Sequence, residues 1–276
     1  MGTLLFEIQN YDTPELVINP DELVGQYLFG IPICNTQGKE LSYDMIKQKI
    51  LNAQASLESL LYIKLTEQLI HESSDFNRTE WENWGYVKTS YPVKVPLALE
   101  GYYNQIKQIG YPNQWLNSRK EQSSLHGSDE SVYFRQIHII PSGTTGNAEL
   151  NGVIYNGSTP FTLFLGTRYI PNYWRTTYVT GFDRIPRELI DAVAKITAIQ
   201  LLAILGDIYL GIGMNSYSIS LDGLSQSTSL LKSNEYGVYG SRIKQYSNDL
   251  FGDGKLDQGT IGALKAKYRG ITFDVC

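Results

Sequence analysis

The stretch that decides the fold is IPRELIDAVAKITAIQLLAILGDIYL, residues Ile185 to Leu210. Pro186 suits the first helical position, because its fixed φ matches a helix and its missing N–H would have no partner there. The first half of the stretch is amphipathic, whereas from Ala198 to Leu205 only Gln200 is polar. A helix that is apolar on nearly every side must also be covered on every side. We therefore predict a long central helix, covered by other parts of the chain or by neighbouring copies of it.

Lipid is the least suitable cover for this helix. Its most apolar part, residues 192–208, is shorter than the ~20 apolar residues that a membrane span needs, and Lys195, Gln200 and Asp207 interrupt it. The first residues, MGTLLFEIQNYD, show no basic segment followed by an apolar one, so we expect no secretory signal there. We therefore expect a protein that is not associated with a membrane.

The composition is typical of a globular chain that is poor in charge. Hydrophobic residues make up 42% of the 276 residues, which is enough for a sizeable core. The 20 tyrosines suit wet interfaces, because each combines apolar area with a polar tip. A net charge of −5 gives no basic surface for gripping nucleic acid, so DNA would be guided and not held. Cys34 and Cys276 predict neither a metal site nor a disulfide framework.

A second helix is predicted over residues 41–65, LSYDMIKQKILNAQASLESLLYIKL. Ser42 can cap it, and Leu41 with Ile46 has the spacing of a hydrophobic staple. Apolar residues recur at spacings of three and four along it, at Ile46, Ile50, Ala53, Leu57 and Leu60 or Leu61. This face is expected to pack against the helix that begins near Ile185. Residues 1–40, with three scattered prolines, are interpreted as an irregular N-terminal arm.

The segment between the two helices, residues 73–182, has a β-rich texture. Short runs rich in β-branched and aromatic residues alternate with turn signals such as Asn151-Gly152 and Asn156-Gly157. The predicted strands are Val132 to Ile140, Val153 to Tyr155, Phe161 to Leu165 and Tyr173 to Val179. Within the segment we expect a short helix over Leu97 to Ile109 and an exposed loop over Gly143 to Gly146.

Residues 212–276 are dominated by Ser, Gly, Asn and Tyr, and contain too few apolar residues for an independent core. They are therefore interpreted as a C-terminal arm that requires a partner. A short helix is predicted over Ser241 to Leu250. The last run, Tyr268 to Val275, is predicted to be a strand that adds to a sheet edge elsewhere.

Together these patterns predict the α+β class. The helical core comprises residues 41–72 and 183–211, and the β-rich insertion comprises residues 73–182. Extended arms at residues 1–40 and 212–276 complete this organisation.

No motif in the sequence predicts catalysis, a metal site or a cofactor. His71, His126 and His138 lie in unrelated contexts and form no metal-binding pair. The chain also has no phosphate-binding glycine loop and no nucleophile elbow around a serine. We therefore expect a protein that is not an enzyme and that has no catalytic residue, no metal ligand and no cofactor.

One cluster leaves a second function open. Trp81, Trp84, Tyr86 and Tyr91 could cradle a sugar ring, which would make the chain a carbohydrate- or receptor-binding protein that uses the aromatic β insertion. Such clusters are more often part of the core or an interface of a β-rich domain.

The order of several motifs resembles one known family. These motifs are NAQASLESLL (Asn52 to Leu61), YVTGF (Tyr178 to Phe182), IPRELIDAVAKITAIQLL (Ile185 to Leu202), the pair Gly206-Asp207, and SISLDGLSQS (Ser218 to Ser227). In this order they resemble the head-to-tail connector, or adaptor, proteins of tailed bacteriophages, and most closely the ring proteins of crAss-like phages. The resemblance is best over residues 41–65 and 175–230.

The resemblance implies a structural protein of the virion neck, made in the host cytoplasm. It implies a homo-oligomeric ring, expected to be dodecameric, that binds the portal protein and adjacent neck or tail proteins. DNA would pass through the central channel without sequence-specific binding. A helix that is apolar on nearly every side, next to a low-complexity arm, is typical of subunits that cover one another. The residues predicted to form the subunit interface are Ile196, Ile199, Leu202, Leu205, Tyr217, Ile219, Leu221 and Leu224.

Overall fold

The structure, a computed structural model, describes residues 15–34, 40–79, 81, 85–120, 133–140, 168–210, 216–221, 224–229, 239–252 and 259–269. It is of the α+β class, as predicted. The helices are α1 (Pro20–Tyr27), α2 (Tyr43–Leu61), α3 (Arg187–Leu210), α4 (Gly240–Phe251) and α5 (Thr260–Arg269). The strands are β1 (Gln68–Asn77), β2 (Tyr86–Lys88), β3 (Val95–Tyr103), β4 (Ile106–Gly110), β5 (Leu116–Lys120), β6 (Tyr133–Ile139), β7 (Tyr169–Thr180), β8 (Ser216–Leu221) and β9 (Leu224–Ser229).

The chain divides into two units. A β unit spans Tyr62–Asp183, and a helical unit combines Pro14–Leu61 with Arg184–Cys276. The β unit therefore begins before residue 73, the predicted start of the insertion, because β1 already begins at Gln68. Its end, at Asp183, lies next to the predicted end.

Helices α2 and α3 pack against each other in the helical unit. The predicted apolar face of α2 is buried, and Ile50, Ala53 and Leu57 are fully inaccessible to solvent. The helix begins after Ser42, whose carbonyl accepts hydrogen bonds from the amides of Met45 and Ile46. These two helices, separated by more than a hundred residues of sequence, form the centre of the unit.

A helix also lies in the region predicted to be an irregular N-terminal arm. The Asn19 side chain accepts a hydrogen bond from the Asp21 amide at 3.1 Å, and Pro20 takes the first position of α1. The buried side chain of Leu23 anchors the helix. The prediction of an irregular segment is thus wrong for residues 20–27. A capping Asn, a Pro and an acidic first turn were the sequence signal that could have identified this helix.

Two helices of the predicted C-terminal arm pack within the helical unit. Helix α4 contacts α3, and α5 contacts both α2 and α3. Buried apolar residues on these helices complete the core, namely Ile243, Leu250, Ile261, Leu264 and Tyr268. The helix predicted over Ser241 to Leu250 is confirmed. The strand predicted from Tyr268 is wrong at its start, because Tyr268 and Arg269 end α5, and its remainder lies outside the described residues.

The β unit contains two sheets, both antiparallel. One has the strand order β1-β7-β3-β4 and the other has the order β2-β6-β5. Their core is rich in aromatic residues, with the rings of Tyr173 and Trp174 at 4.8 Å and that of Phe76 at 5.7 Å from Tyr173. The strands predicted around residues 132–140 and 173–179 are confirmed as β6 and β7. The strands predicted at 153–155 and 161–165, and the loop at 143–146, lie outside the described residues.

The helix predicted over Leu97 to Ile109 is wrong, because this segment forms the β3–β4 hairpin. Asn104 and Gln105 both adopt positive φ, which gives a tight two-residue turn. Gly101 lies against the Tyr173 ring, and a Cβ built there would be 2.6 Å from Tyr173 Cε1. Close packing of two strands, which local helical spacing could not reveal, therefore decides this conformation.

The β unit starts and ends at one place, because β1 pairs antiparallel with β7 from Gln68 opposite Thr180. The Lys94 ammonium donates to the carboxylates of both Glu67 and Asp183, so it joins the two ends of the unit. Gly181, the glycine of the YVTGF motif, has a φ of +105° and lies against the Thr66 backbone. A tight backbone crossing thus explains why this position is glycine.

We expect Gly181→Ala to lower the free energy of unfolding by about 1–3 kcal/mol, because alanine is strained at this φ. Its Cβ would also lie 2.3 Å from the Thr66 carbonyl oxygen. Gly25→Ala is the matched control, since a Cβ at this helical position meets nothing within 4 Å. Urea unfolding of the two variants checks the prediction, and equal stability of both would contradict it.

Candidate subunit interface

Helix α3 is 24 residues long, and four other helices of the helical unit contact it. The buried residues from position 197 onward include Thr197, Ala198, Leu201, Leu202 and Leu205. Helices α1, α2, α4 and α5 all contact α3 within the helical unit. Other parts of the same chain therefore cover most of the apolar surface that the sequence predicts.

One side of α3 stays accessible, and we call it the α3 stripe. It consists of Ile196, Ile199, Gln200, Ala203 and Asp207, which recur at spacings of three and four and so share one face. Ala203 and Asp207 are exposed, while Ile196, Ile199 and Gln200 are half-buried. Three of the five residues are apolar, so the α3 stripe is a candidate surface for protein contact.

The predicted interface residues on α3 fall into two groups. Ile196 and Ile199 lie on the accessible α3 stripe. The prediction is corrected for Leu202 and Leu205, because their side chains are 0% and 2% exposed and fill the core of their own chain. Ala203 was missed, although its distance of four residues from Ile199 places it on the same helical face.

The other predicted interface residues lie on a β-hairpin. Tyr217, Ile219 and Leu221 belong to β8, and Leu221 is paired with Leu224 of β9. Their side chains lie outside the described part of the structure, so their role in an interface stays a prediction. Asp222-Gly223 separates the two strands, and this turn dipeptide was the sequence signal for a hairpin.

A polar network fixes the first half of α3 to its neighbours. Lys195 makes ion pairs with Asp191 at 3.0 Å and with Asp249 of α4 at 3.3 Å. The Tyr27 hydroxyl, at the end of α1, donates to Asp191 Oδ1 at 2.8 Å. Burial and this hydrogen bond raise the pKa of Tyr27. Three helices are thereby held in one arrangement beside the α3 stripe.

A second polar contact attaches α5 to the start of α3. Glu188 Oε1 accepts hydrogen bonds from Lys267 Nζ at 2.7 Å and from the Tyr268 hydroxyl at 2.8 Å. Both donors belong to the segment predicted to be an arm. The end of the described chain is therefore tied to its own helical unit.

The charge of Lys195 is predicted to stabilise the fold. Burial alone would lower the pKa of Lys195, but the hydrogen bond and charge of Asp191, and then those of Asp249, raise it. A raised folded-state pKa means that this stabilisation is present below pH 10.5, the ordinary lysine value, and is lost as the pH rises through the higher folded-state value.

We therefore expect Lys195→Met to lower the free energy of unfolding at neutral pH by about 1–3 kcal/mol. The variant should also lose part of the decline in stability that the wild type shows in alkali. Urea unfolding at neutral pH and above pH 10.5 measures both effects. Lys244→Met, on the exposed side of α4, is the control. Equal alkaline declines in wild type and Lys195→Met would contradict the prediction.

The aromatic cluster predicted as a possible sugar platform is not a single surface. Trp81 lies 5.1 Å from the Trp174 ring, and both Trp81 and Tyr91 pack against the core of the β unit. Tyr86 instead lies against the His138 ring, with 5.5 Å between the ring centroids. Trp84 lies outside the described residues. A carbohydrate-binding role for this cluster stays a prediction.

The two histidines that the structure describes interact with neighbouring residues of the β unit. His71 Nδ1 lies 2.9 Å from Thr177 Oγ1 across the β1–β7 pair. Burial, and then the charge of Arg119, lowers the pKa of His138. His126 lies outside the described residues. Within the described ranges, no three His, Cys, Asp or Glu side chains come together in a way that could hold a metal ion.

Among the described helices, one is long enough and apolar enough to span a membrane. It covers Arg187–Ile208, within α3, and 56% of its most apolar window is buried inside the protein. Since the core helix of a water-soluble fold can be equally long and apolar, this observation is weak evidence for a membrane.

No protein-family model matches this chain, and no curated protein matches its sequence. The assignment of a function therefore depends on the order of the sequence motifs and on the geometry described above.

The difference in burial between the side chains of Leu202 and Ala203 can be tested directly. Leu202→Asp should prevent folding or destabilise the chain by about 3–5 kcal/mol, because it places a carboxylate in an apolar core. Ala203→Glu should change the free energy of unfolding by less than about 0.5 kcal/mol, because this position is exposed. Circular dichroism with thermal unfolding measures both, and equal loss of stability would contradict the assignment of faces.

Proposed function

We propose that this chain is a structural virion protein that forms a ring in the head-to-tail connector of a tailed bacteriophage. In this proposal the ring lies below the portal, joins the capsid to the tail and lines the DNA conduit. The ring is expected to be dodecameric, with the portal and adjacent neck or tail proteins as partners.

The observation that carries the proposal is the order of the family-like motifs in the fold. NAQASLESLL lies on α2, YVTGF ends the β unit, and IPRELIDAVAKITAIQLL opens α3. SISLDGLSQS then spans the β8–β9 hairpin. Helices α2 and α3 pack together although the whole β unit lies between them in the sequence. Each of these motifs thus coincides with a helix, with the end of a strand or with a hairpin.

The α3 stripe supports assembly. It presents Ile196, Ile199 and Ala203 beside a network that holds the surrounding helices in place. Binding loses less entropy when an interface is already ordered. A surface of this kind suits a subunit that is covered by a neighbouring copy.

The charge of the chain is consistent with a conduit. At a net charge of −5, repulsion from phosphates would limit adhesion of DNA, whereas a basic lining would bind it in a salt-dependent way. In this proposal DNA passes without sequence-specific contact. The protein would be made in the host cytoplasm and would end in the virion neck, with no membrane association and no catalysis.

Size-exclusion chromatography with light scattering tests the proposal on the full chain, alone and mixed with its portal. We expect a ring-sized species, or a complex with the portal, in at least the mixed sample. The variant Ala203→Glu tests the α3 stripe. It should fold but assemble less well, because a charge on the α3 stripe would be buried in the interface. A wild-type chain that stays monomeric and ignores the portal would contradict the proposal.

A further inference from the structure

Phe29 is the most exposed large apolar side chain among the described residues. Its exposed fraction is 75%, although the adjacent Leu28 is buried at 1%. Single exposed apolar residues are common and need no explanation by themselves. The backbone around Phe29 makes this residue different, because several contacts hold it in place.

Three hydrogen bonds fix the chain at Phe29 and at Tyr27, two residues before it. Arg242 of α4 donates to the Phe29 carbonyl oxygen at 3.0 Å, and the Tyr246 hydroxyl donates to the Tyr27 carbonyl oxygen at 2.8 Å. The Tyr27 side chain is itself bonded to Asp191. Gly30 then turns the chain at a φ of +79°, a conformation that glycine adopts without strain. An aromatic side chain on an ordered support is typical of a binding hot spot, since little order remains to be gained on binding.

The α3 stripe combines one small exposed residue with larger neighbours. Ala203 is the small residue of the stripe, and it lies one and two turns beyond the larger Ile199 and Ile196. A small side chain next to larger ones leaves a notch on a helix surface into which a side chain of another molecule can pack. The small side chain of Ala203 thus leaves room for one aromatic ring to pack.

The charges beside these two surfaces are also complementary. Arg242 and the exposed Lys244 lie on α4, the helix that holds the Phe29 backbone. The exposed Asp207 ends the α3 stripe, which contains no basic residue. Opposite charges at the rim of an interface favour this pairing over like-with-like contacts.

We propose that Phe29 of one subunit packs on the α3 stripe of the next subunit, over Ala203. This inference rests on the proposed ring function and names the two surfaces that form its contact. Phe29 follows α1, which is bonded to the first half of α3, whereas Ala203 lies in the second half. In this proposal the contact is heterologous, so its repetition builds a ring where the rotation from one subunit to the next closes, whereas a two-fold dimer would stop at two copies.

Chemical crosslinking of the full chain tests this contact. Phe29→Cys and Ala203→Cys are combined in a background that carries Cys34→Ser and Cys276→Ser, since these are the two cysteines of the sequence. A short bismaleimide is the probe, because a phenylalanine side chain would hold the two Cβ atoms further apart than a disulfide spans. We expect a ladder of crosslinked species that rises past the dimer, and no ladder from either single-cysteine variant.

Phe29→Ala provides a second measurement. We expect it to raise the protein concentration needed for assembly by about tenfold or more, as for removal of a hot-spot side chain. Tyr43→Ala is the matched control, since Tyr43 is an aromatic residue of the same unit with 52% exposure. Phe29→Tyr should largely restore assembly, because it keeps the ring.

The outcomes separate this inference from the proposed function. A wild-type ring with no ladder, or with a ladder that stops at the dimer, overturns the contact but leaves the ring. Assembly that is unaffected by Phe29→Ala also overturns the contact. So does a Phe29→Ala chain that still forms the ring but no longer binds the portal. A wild-type chain that forms no ring with or without the portal fails the proposed function itself.

Discussion

The cover over helix α3 is the constraint on which the rest of the structure depends. A 24-residue helix with this much apolar surface cannot remain in water, and its burial contributes free energy in proportion to the area removed from solvent. Four other helices of the same chain supply that cover. Helices α4 and α5 are consequently part of the core of the helical unit, and the α3 stripe is the side of α3 that stays accessible.

The same constraint explains how the β unit can interrupt the helical unit. Helices α2 and α3 must pack together, so the chain between them has to leave and return at neighbouring positions. Pairing of β1 with β7 provides this geometry, and Lys94 with Gly181 secures the crossing. A unit with its own aromatic core can then be inserted with little effect on the helices.

Function in this proposal depends on a division between two adjacent residues. Leu202 is buried in the core while Ala203 is exposed, because successive helical residues point about 100° apart. The polar network of Lys195, Asp191 and Tyr27 then holds both the stripe and the support of Phe29 in fixed positions. Assembly through such ordered surfaces needs no catalytic group.

The sequence by itself determined the elements whose signals are local. The periodicity of residues 41–65 and 185–210 predicted α2 and α3, and runs rich in β-branched and aromatic residues predicted β6 and β7, because each of these signals lies within one element. The helix predicted at residues 97–109 was wrong, since the contact of Gly101 with Tyr173 is long-range. Likewise, only tertiary packing could decide that Leu202 and Leu205 face the core of their own chain. Apolar character predicts that a side chain will be buried, but the partner that buries it is chosen by the three-dimensional arrangement of the whole chain.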